Sequence, residues 1–236
     1  MQCVILAGGL GTRMRPLTDT IPKTLLPVRG RPFAYYQMHW LASQGVTEVV
    51  YSIGHRGEMI RQYWEQEASP IPSLCFVDEG EQLRGTGGAL SLAREQGVLE
   101  DRFLVIYGDS FLPVRFAPIW QAFEASGLPA LMTVLRNRGL WDRSNASYQD
   151  GRVLLYNKAG GPDMEYIDYG LSAFRREVLD GWGGPSYDLA NVLHDLSVKG
   201  RLAGFEVDRR FYEIGSPAGL RDFEQYLEHE EIIVTS

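Results

Sequence analysis

Residues 6–16 read Leu-Ala-Gly-Gly-Leu-Gly-Thr-Arg-Met-Arg-Pro (LAGGLGTRMRP), directly after the apolar opening MQCVIL. A short apolar run that ends in glycines is the sequence form of a buried parallel strand followed by a tight turn. Glycines there let backbone N–H groups approach a phosphate chain without Cβ obstruction, and strand carboxyl ends are where open α/β sheets bind ligands. A P-loop needs G-x-x-x-x-G-K-[ST], and the dinucleotide fingerprint needs G-x-G-x-x-G. Neither fits: Gly9 and Gly11 supply G-x-G, but Met14 stands where the third glycine belongs. The glycines alone also read as a plain bend; Arg13, Arg15 and Lys23 after them argue for an anion, since a bend has no need of three cations.

Outward from this turn the chain alternates. Apolar strand-like runs at 3–7, 48–53, 74–77, 103–107 and 130–135 are separated by helical segments at 33–44, 57–67, about 85–95 and 118–125. The alternation predicts an α/β fold: a Rossmann-like mixed, mainly parallel sheet with helices on both faces. After residue 136 the rhythm changes. Residues 146–156, with Asp150-Gly151 at their centre, read as a β-hairpin; 166–174 and 202–207 read as strands, and 187–199 as a helix ending at Gly200. The last helix starts near Ser216-Pro217. With no repeat or low-complexity tract, residues 1–236 read as one domain, its second part laid on the first sheet.

Charge narrows the ligand class. The net charge of −7 over 236 residues argues against nucleic acid or an anionic membrane as partner. Within 11–31, however, five basic residues (Arg13, Arg15, Lys23, Arg29, Arg31) face a single acid, Asp19, which suggests a small polyanion. No run of eighteen apolar residues exists, and the opening is too short and uncharged for a secretory signal, so a cytoplasmic location is expected. Cys3 and Cys75 lie in apolar runs and read as buried reduced thiols. The histidines at 39, 55, 194 and 229 lack ligand spacing for zinc.

Residues 6–28, LAGGLGTRMRPLTDTIPKTLLPV, resemble the signature of sugar-1-phosphate nucleotidylyltransferases, roughly L-A-G-G-x-G-T-R-[LM]-x-P-L-T, then P-K-x-[LM]-x-P after about seven residues. The resemblance runs on through EQLRGTGGAL (81–90), YGDS (107–110), Tyr169-Gly170 and Glu-Ile-Gly-Ser-Pro (213–217), each weak alone but correct in order and spacing. Among short members the chain is most similar to heptose-1-phosphate guanylyltransferases and N-acetylmuramate-1-phosphate uridylyltransferases, through YGDSFL and YIDYGLS, which leaves the base open. The resemblance implies a Mg²⁺-dependent reaction in which a sugar 1-phosphate oxygen attacks the α-phosphorus of an NTP, giving an NDP-sugar and pyrophosphate. It also implies a nucleotide-binding half at 1–135 and a sugar-phosphate-binding subregion at 136–236. A chain ending at 236 leaves no room for the appended left-handed β-helix of longer acyltransferase relatives, so a single activity is expected.

The residue roles implied are these. Leu6, Ala7, Gly8 and Gly9 place backbone on the nucleotide; Gly11, Thr12 and Arg13 hold the β and γ phosphates; Lys23 reaches the reacting phosphates as a point charge, or is a solvated loop lysine. Asp109 is a Mg²⁺ ligand, or a turn or cap residue. Arg13, Lys23 and Asp109 form the catalytic set. Glu213 is the second metal ligand where the family has Asp; its side chain is longer by about 1.5 Å, and Asp208 nearby is a substitute. Glu81 with Gly85, Thr86 and Gly87 reads the base, or those glycines only permit close helix packing. Asn157, in place of the family's Glu, and Lys158 contact the sugar phosphate, with Glu165, Asp168, Tyr169 and Gly170 as further sugar candidates. Asp142 and Asn145 line the same cavity or cap a turn. The alternatives are a cytidylyltransferase for a non-sugar phosphate such as phosphocholine, and a degenerate nucleotide-sugar-binding protein, the latter suggested by Glu213.

Overall fold

The structure is a computed structural model and describes residues 1–80, 82–184 and 186–229. Its first strand, β1 (Gln2–Leu6), is buried at every position. Successive side chains take opposite faces, as strand geometry requires: Cys3 and Ile5 enter one core, Val4 and Leu6 another. The chain continues through α1 (Phe33–Ser43), β2 (Glu48–Ile53), α2 (Gly57–Gln66), β3 (Ser73–Asp78), α3 (Gly85–Glu95) and β4 (Arg102–Tyr107). Strand β1 lies between β2 and β4, parallel to both, with Val4 opposite Val50 and Val105. β3 joins the outer edge of β2, also parallel.

The second part comprises α4 (Phe116–Ser126), β5 (Ala130–Arg136), β6 (Ala146–Gln149), β7 (Arg152–Tyr156), β8 (Tyr166–Arg175), α5 (Leu189–Val198), β9 (Leu202–Val207) and α6 (Pro217–His229). All nine strands share one sheet in the order β3-β2-β1-β4-β8-β5-β9-β7-β6. Strand β8 is antiparallel to both its neighbours, β4 and β5, while β9 is parallel to β5. The sheet is therefore mixed with one dominant direction, the architecture that the alternation in sequence predicts. One face is covered through Met38, Leu41, Ile60, Trp64, Ile119 and Phe123 of α1, α2 and α4. The other is covered through Leu90, Ala93, Val192, Leu193 and Leu196 of α3 and α5.

Two helix starts differ from the sequence reading. Helix α4 begins at Phe116, not Pro118, since a proline in the first turn removes an N–H that has no intrahelical acceptor. Helix α5 begins at Leu189, not Tyr187, because the Asp188 carboxylate accepts the Ala190 N–H at 3.1 Å as N-cap.

A third, smaller core fixes the loop that follows β1. Met14, Leu26, Phe33, Phe111, Ile214 and Phe223 pack together under α6. This core holds a two-stranded ribbon in which Ser110–Phe111 pairs with Tyr212–Glu213. Gly11 turns the loop with φ +62°, and its carbonyl accepts the Thr18 hydroxyl at 2.8 Å. Among the described residues, no helix is long and apolar enough to cross a membrane. Cys3 and Cys75 are free thiols.

Candidate active site

The carboxyl ends of β1, β3 and β4 surround a cavity of about 240 Å³. It brings together Leu6, Ala7, Gly8, Gly9, Gly11, Lys23, Gly85, Thr86 and Asp109, residues spread over a hundred positions of sequence. Beside them stand Thr24, Glu79, Leu83, Ala89, Tyr107 and Gly108, which the sequence reading does not single out. The close approach of strands needs small residues: a Cβ on Gly108 would lie 2.8 Å from the Ala7 Cβ and 2.9 Å from the Thr24 Cγ2.

Lys23 and Asp109 meet inside this cavity. The Lys23 Nζ donates to Asp109 Oδ2 at 2.5 Å, with only 15% and 23% of the two side chains exposed. The backbone that aims Asp109 is held from two sides. The Gln37 amide of α1, 2% exposed, donates to Tyr107 O at 2.9 Å and Ser110 O at 2.7 Å. From the ribbon, Ile214 N–H donates to Asp109 O at 3.0 Å.

That ribbon places Glu213 opposite Ser110, next to Asp109. Loss of solvent around its carboxyl, and then the negative charge of Asp109, push Glu213 up to about 7 against the pull of Arg13 and Lys23. The residue as a whole is nevertheless exposed. Arg13 is exposed above it: a Cβ on Gly215 would lie 3.3 Å from Arg13 Nη2. Thr12 is exposed on the same turn.

Two carboxylates on adjacent strands that repel each other form a donor set in need of a cation. Among the described residues no group of three His, Cys, Asp or Glu gathers as a complete metal site. Mg²⁺ asks for less from protein, since it is held by one or two carboxylates with waters and substrate phosphates completing the octahedron. Asp109 and Glu213, close enough for the charge of one to act on the other, fit that pattern.

The glycines at the start of α3 divide. Gly85 and Thr86 line the cavity, whereas Gly87 and Gly88 donate their N–H groups to Tyr187 O at 3.0 and 3.2 Å. A Cβ on Gly87 would fall 2.2 Å from the Tyr187 ring, so close packing decides that position. Thr86 Oγ1 donates to Asp188 Oδ1 at 2.7 Å and accepts Leu189 N–H at 2.8 Å. The other Asp188 oxygen is paired with Lys158. These bonds, the Lys158 one first among them, hold Asp188 below the usual carboxylate range although burial acts the other way. Asp188 thus ties the start of α3 to the loop after β7, a role the sequence does not announce.

The remaining sugar candidates lie around that loop. Asn157 closes its own turn, donating to Gly160 O and accepting Ala159 N–H, each at 3.1 Å. In β8 the ladder is irregular between Asp168 and Ser172, where Gly170 takes φ +92°. This turns the Asp168 carboxyl inward, where burial pushes it up to about 6 against the pull of Gly170 N–H, the Tyr156 hydroxyl and the Lys158 charge. Asn145 Oδ1 accepts Asp168 N–H at 2.8 Å. Tyr169 is buried, 1% exposed, with its ring edge-on to Phe211. Glu165 is exposed and paired with Arg136 at 2.8 Å. Asp142 is exposed yet near enough to raise Glu213, and its Oδ1 accepts Arg143 N–H. Asp208 lines a different groove, with Arg209 and Arg210. Glu81 lies outside the described residues.

Of the residues missed, Glu79 stands at a strand end, so the rule that ligands bind there would have found it, whereas Gly108 lies within the YGDS stretch already noted. Gln37 and Asp188 act through long-range hydrogen bonds for which a sequence carries no local signal.

Comparison with known proteins bears on this site. The nucleotidyl transferase family model matches residues 2–139. D-glycero-alpha-D-manno-heptose 1-phosphate guanylyltransferase of Campylobacter jejuni is 33% identical, covering 92% of this chain and 96% of its own. The protein of that name from Aneurinibacillus thermoaerophilus is 28% identical, covering 97% and 99%. The crystal structure of HddC from Yersinia pseudotuberculosis superposes with a TM-score of 0.80 at 22% identity, covering 96% and 99%, and shares the fold. With the family motif lining the cavity and the similarity running the length of these relatives, the chain belongs to the nucleotidyl transferase family, as an enzyme of the sugar-1-phosphate nucleotidyltransferase type.

Proposed function

We propose that this enzyme transfers a guanylyl group from GTP to a manno-configured heptose 1-phosphate, with Mg²⁺ as the ion and the cavity at the ends of β1 and β4 as the reaction site. The substrate class is carried over from the two heptose-phosphate guanylyltransferases that this chain matches end to end. The observation that carries the site is the Lys23–Asp109 pair, enclosed at the mouth of the glycine turn.

The chemistry joins two anions. A non-bridging oxygen of the sugar 1-phosphate forms a bond to the α-phosphorus, the bond from that phosphorus to the oxygen bridging the β-phosphate breaks, and pyrophosphate leaves with its electron pair. The nucleophile is already ionised, so the protein needs no general base. What it must supply is fixed positive charge where negative charge accumulates, in a place with little water. Lys23 has three donors and so can keep Asp109 while reaching a phosphate oxygen. Arg13 stands outside it, on the exposed side of the turn, where a leaving pyrophosphate would emerge. Asp109 and Glu213 would hold Mg²⁺, whose chemistry here is to draw phosphate charge away from the attacking oxygen. Backbone at Gly8, Gly9 and Gly11 leaves room for the triphosphate. Lys158, Asp168 and Asn157 form the rim where the sugar would enter, and a cytoplasmic location belongs to the same proposal.

A matrix of NTPs against sugar 1-phosphates, scored by pyrophosphate release, tests the reading. GTP with the heptose 1-phosphate is expected to give the highest kcat/KM, and EDTA to abolish turnover. Pyrophosphate release of equal rate in EDTA would remove Asp109 and Glu213 from the metal role.

A further inference from the structure

The ribbon that carries Glu213 has only two residues in each strand, too few to hold its shape alone. One side of it is fixed by Ile214 N–H on Asp109 O and by the core under α6. Glu213 itself is exposed, and its side chain has one more rotatable bond than an aspartate. The aim of its carboxylate therefore depends on what holds the backbone just before it.

Arg210, three residues upstream, is built into that place. Its guanidinium carbon stands 4.4 Å from the centre of the Tyr212 ring and 4.2 Å from the centre of the Trp141 ring. Its Nη2 donates to Asp222 Oδ2 of α6 at 3.0 Å, and the Tyr169 hydroxyl of β8 donates to its carbonyl at 3.4 Å. One planar cation thus joins the ribbon to α6, to β8 and to the loop 137–144 between β5 and β6. That loop has a brace of its own. The buried Asn137 side chain donates to Asp142 O at 2.6 Å and Ser144 Oγ at 3.0 Å, and accepts Trp141 N–H at 3.1 Å. Trp141, 39% exposed, therefore meets Arg210 from a braced loop, and Asp142 beside it is close enough for its charge to act on Glu213.

The shape of the cation matters here. A guanidinium is flat, so it lies against aromatic faces while its edge still pairs with a carboxylate, whereas the ammonium of lysine is a point charge without that plane. Resting on the metal reading above, we propose that Arg210 is a positioning residue of this enzyme: packed against Trp141 and Tyr212, its guanidinium sets the ribbon so that Glu213 meets the ion beside Asp109. It touches no substrate and acts through Glu213 alone. A chain with glutamate in this place has more side-chain freedom to restrain than one with aspartate, and the Trp141–Arg210–Tyr212 contact supplies the restraint from outside the ribbon.

The test separates metal holding from general stability. Calorimetry measures the binding of α,β-methylene GTP, which cannot release pyrophosphate, once as its Mn²⁺ complex and once in EDTA; Mn²⁺ takes the same oxygen ligands as Mg²⁺. The wild type is expected to bind the Mn²⁺ complex about tenfold or more tighter than the metal-free analogue. Arg210→Ala is expected to lose most of that gain while its metal-free affinity stays within about twofold, and its kcat/KM for Mg²⁺-GTP should fall by about 10- to 100-fold, as a misplaced group near the reacting atoms does. Arg210→Lys should recover little of the loss. Trp141→Ala, a change at an exposed side chain that leaves folding intact, should lose part of the gain, and Trp141→Phe, which keeps a ring face, should restore it. An unchanged metal-dependent gain in Arg210→Ala, whatever its melting temperature, or a Trp141→Ala that matches the wild type, overturns the assignment while leaving the reaction class intact. A wild type that binds the analogue no better with Mn²⁺ than without defeats the metal reading and this inference with it.

Discussion

The cavity and the surface proposed to take the sugar are built on different plans. At the phosphate end, Lys23 and Asp109 are enclosed, and the turn that carries Asp109 is held by Gln37 from α1 and by Ile214 from the ribbon. On the surface proposed for the sugar, outside the cavity lining, Lys158 pairs with Asp188 and Arg136 with Glu165, both pairs exposed to solvent. The difference follows from what each end must do. Charge stabilisation of a transferring phosphoryl group depends on donors that are fixed before the substrate arrives and shielded from water. Sugar hydroxyls need only a set of donors and acceptors, which exposed side chains provide with small losses when they change.

The largest expected effect attacks the enclosed end. Lys23→Ala removes a positive group from the reacting phosphates and leaves Asp109 without its partner, so kcat is expected to fall by about two to three orders of magnitude. Asp109→Asn is expected to fall at least as far. Circular dichroism of both variants should match the wild type, since the pair lies at a strand end and not in either large core. If Lys158→Ala costs as much as Lys23→Ala, the contrast between the two ends is wrong.

A smaller effect sharpens it. Gln37→Leu withdraws both donors from Tyr107 O and Ser110 O in a place closed to water. The variant also removes the Gln37 Oε1, which is buried without a partner, so part of the loss is offset. A net destabilisation of about 1–3 kcal/mol is expected from urea unfolding. Turnover should fall as well, with KM for NTP nearly constant, because Gln37 aims the metal-side turn and touches no substrate.

What could be read from the sequence follows the same division. Parallel strands with helices between them declare themselves locally, by buried runs such as 48–53 and by glycines at strand ends, and the glycine turn and Lys23 of the phosphate end come from one contiguous stretch, 6–28, to which Asp109 is added from afar. The insertion of β8 between β4 and β5 is a pairing between residues some seventy apart, and no pattern in 166–175 specifies it. Gly87 illustrates the limit well. Its place in a glycine-rich stretch suggests ligand binding, yet the Tyr187 ring takes the space a side chain would need. Tyr169 reads as a sugar-facing hydroxyl beside Asp168, but in an extended strand neighbours point to opposite faces, and its ring lies in the core against Phe211. The residues proposed for the sugar come from separate segments, so their sequence signal is divided among them.

Acidity probes the sugar end without touching the chemistry. Asp168 holds its proton more tightly folded than unfolded, with a value near 6 against an ordinary 3.8. The folded state therefore binds more protons between these values, and the contribution of Asp168 to stability should fall as pH rises from about 4 to about 6, beneath a separate slope from Glu213 that runs on to about 7. The span is on the order of 2–3 kcal/mol for a buried carboxyl held this far above its ordinary value. Asp168→Asn is expected to flatten this slope in thermal melts taken from pH 4 to 7. An unchanged slope would locate the titration in another group.

The smallest expected effect tests whether rim pairs are as weak as their exposure implies. Asp188 has two separable jobs: it caps α5 through Ala190 N–H and Thr86, and it pairs with Lys158 across the rim. Asn is as good an N-cap as Asp and keeps an oxygen for Ala190 N–H and Thr86. Asp188→Asn should thus change stability by only a few tenths of a kcal/mol, the worth of an exposed ion pair. Asp188→Ala removes the cap as well and is expected to cost about 1 kcal/mol, or roughly 2–4 °C in Tm for a chain of this length. The two variants should also part in kinetics. The asparagine frees Lys158 for an incoming phosphate, so its KM for the sugar 1-phosphate should drop or hold steady, while the alanine also loosens Thr86 at the nucleotide side and should raise KM for the NTP. Equal destabilisation by both would mean that the Lys158 pair, not the cap, holds the rim together, and the cavity and the sugar surface would be more alike than their exposure suggests.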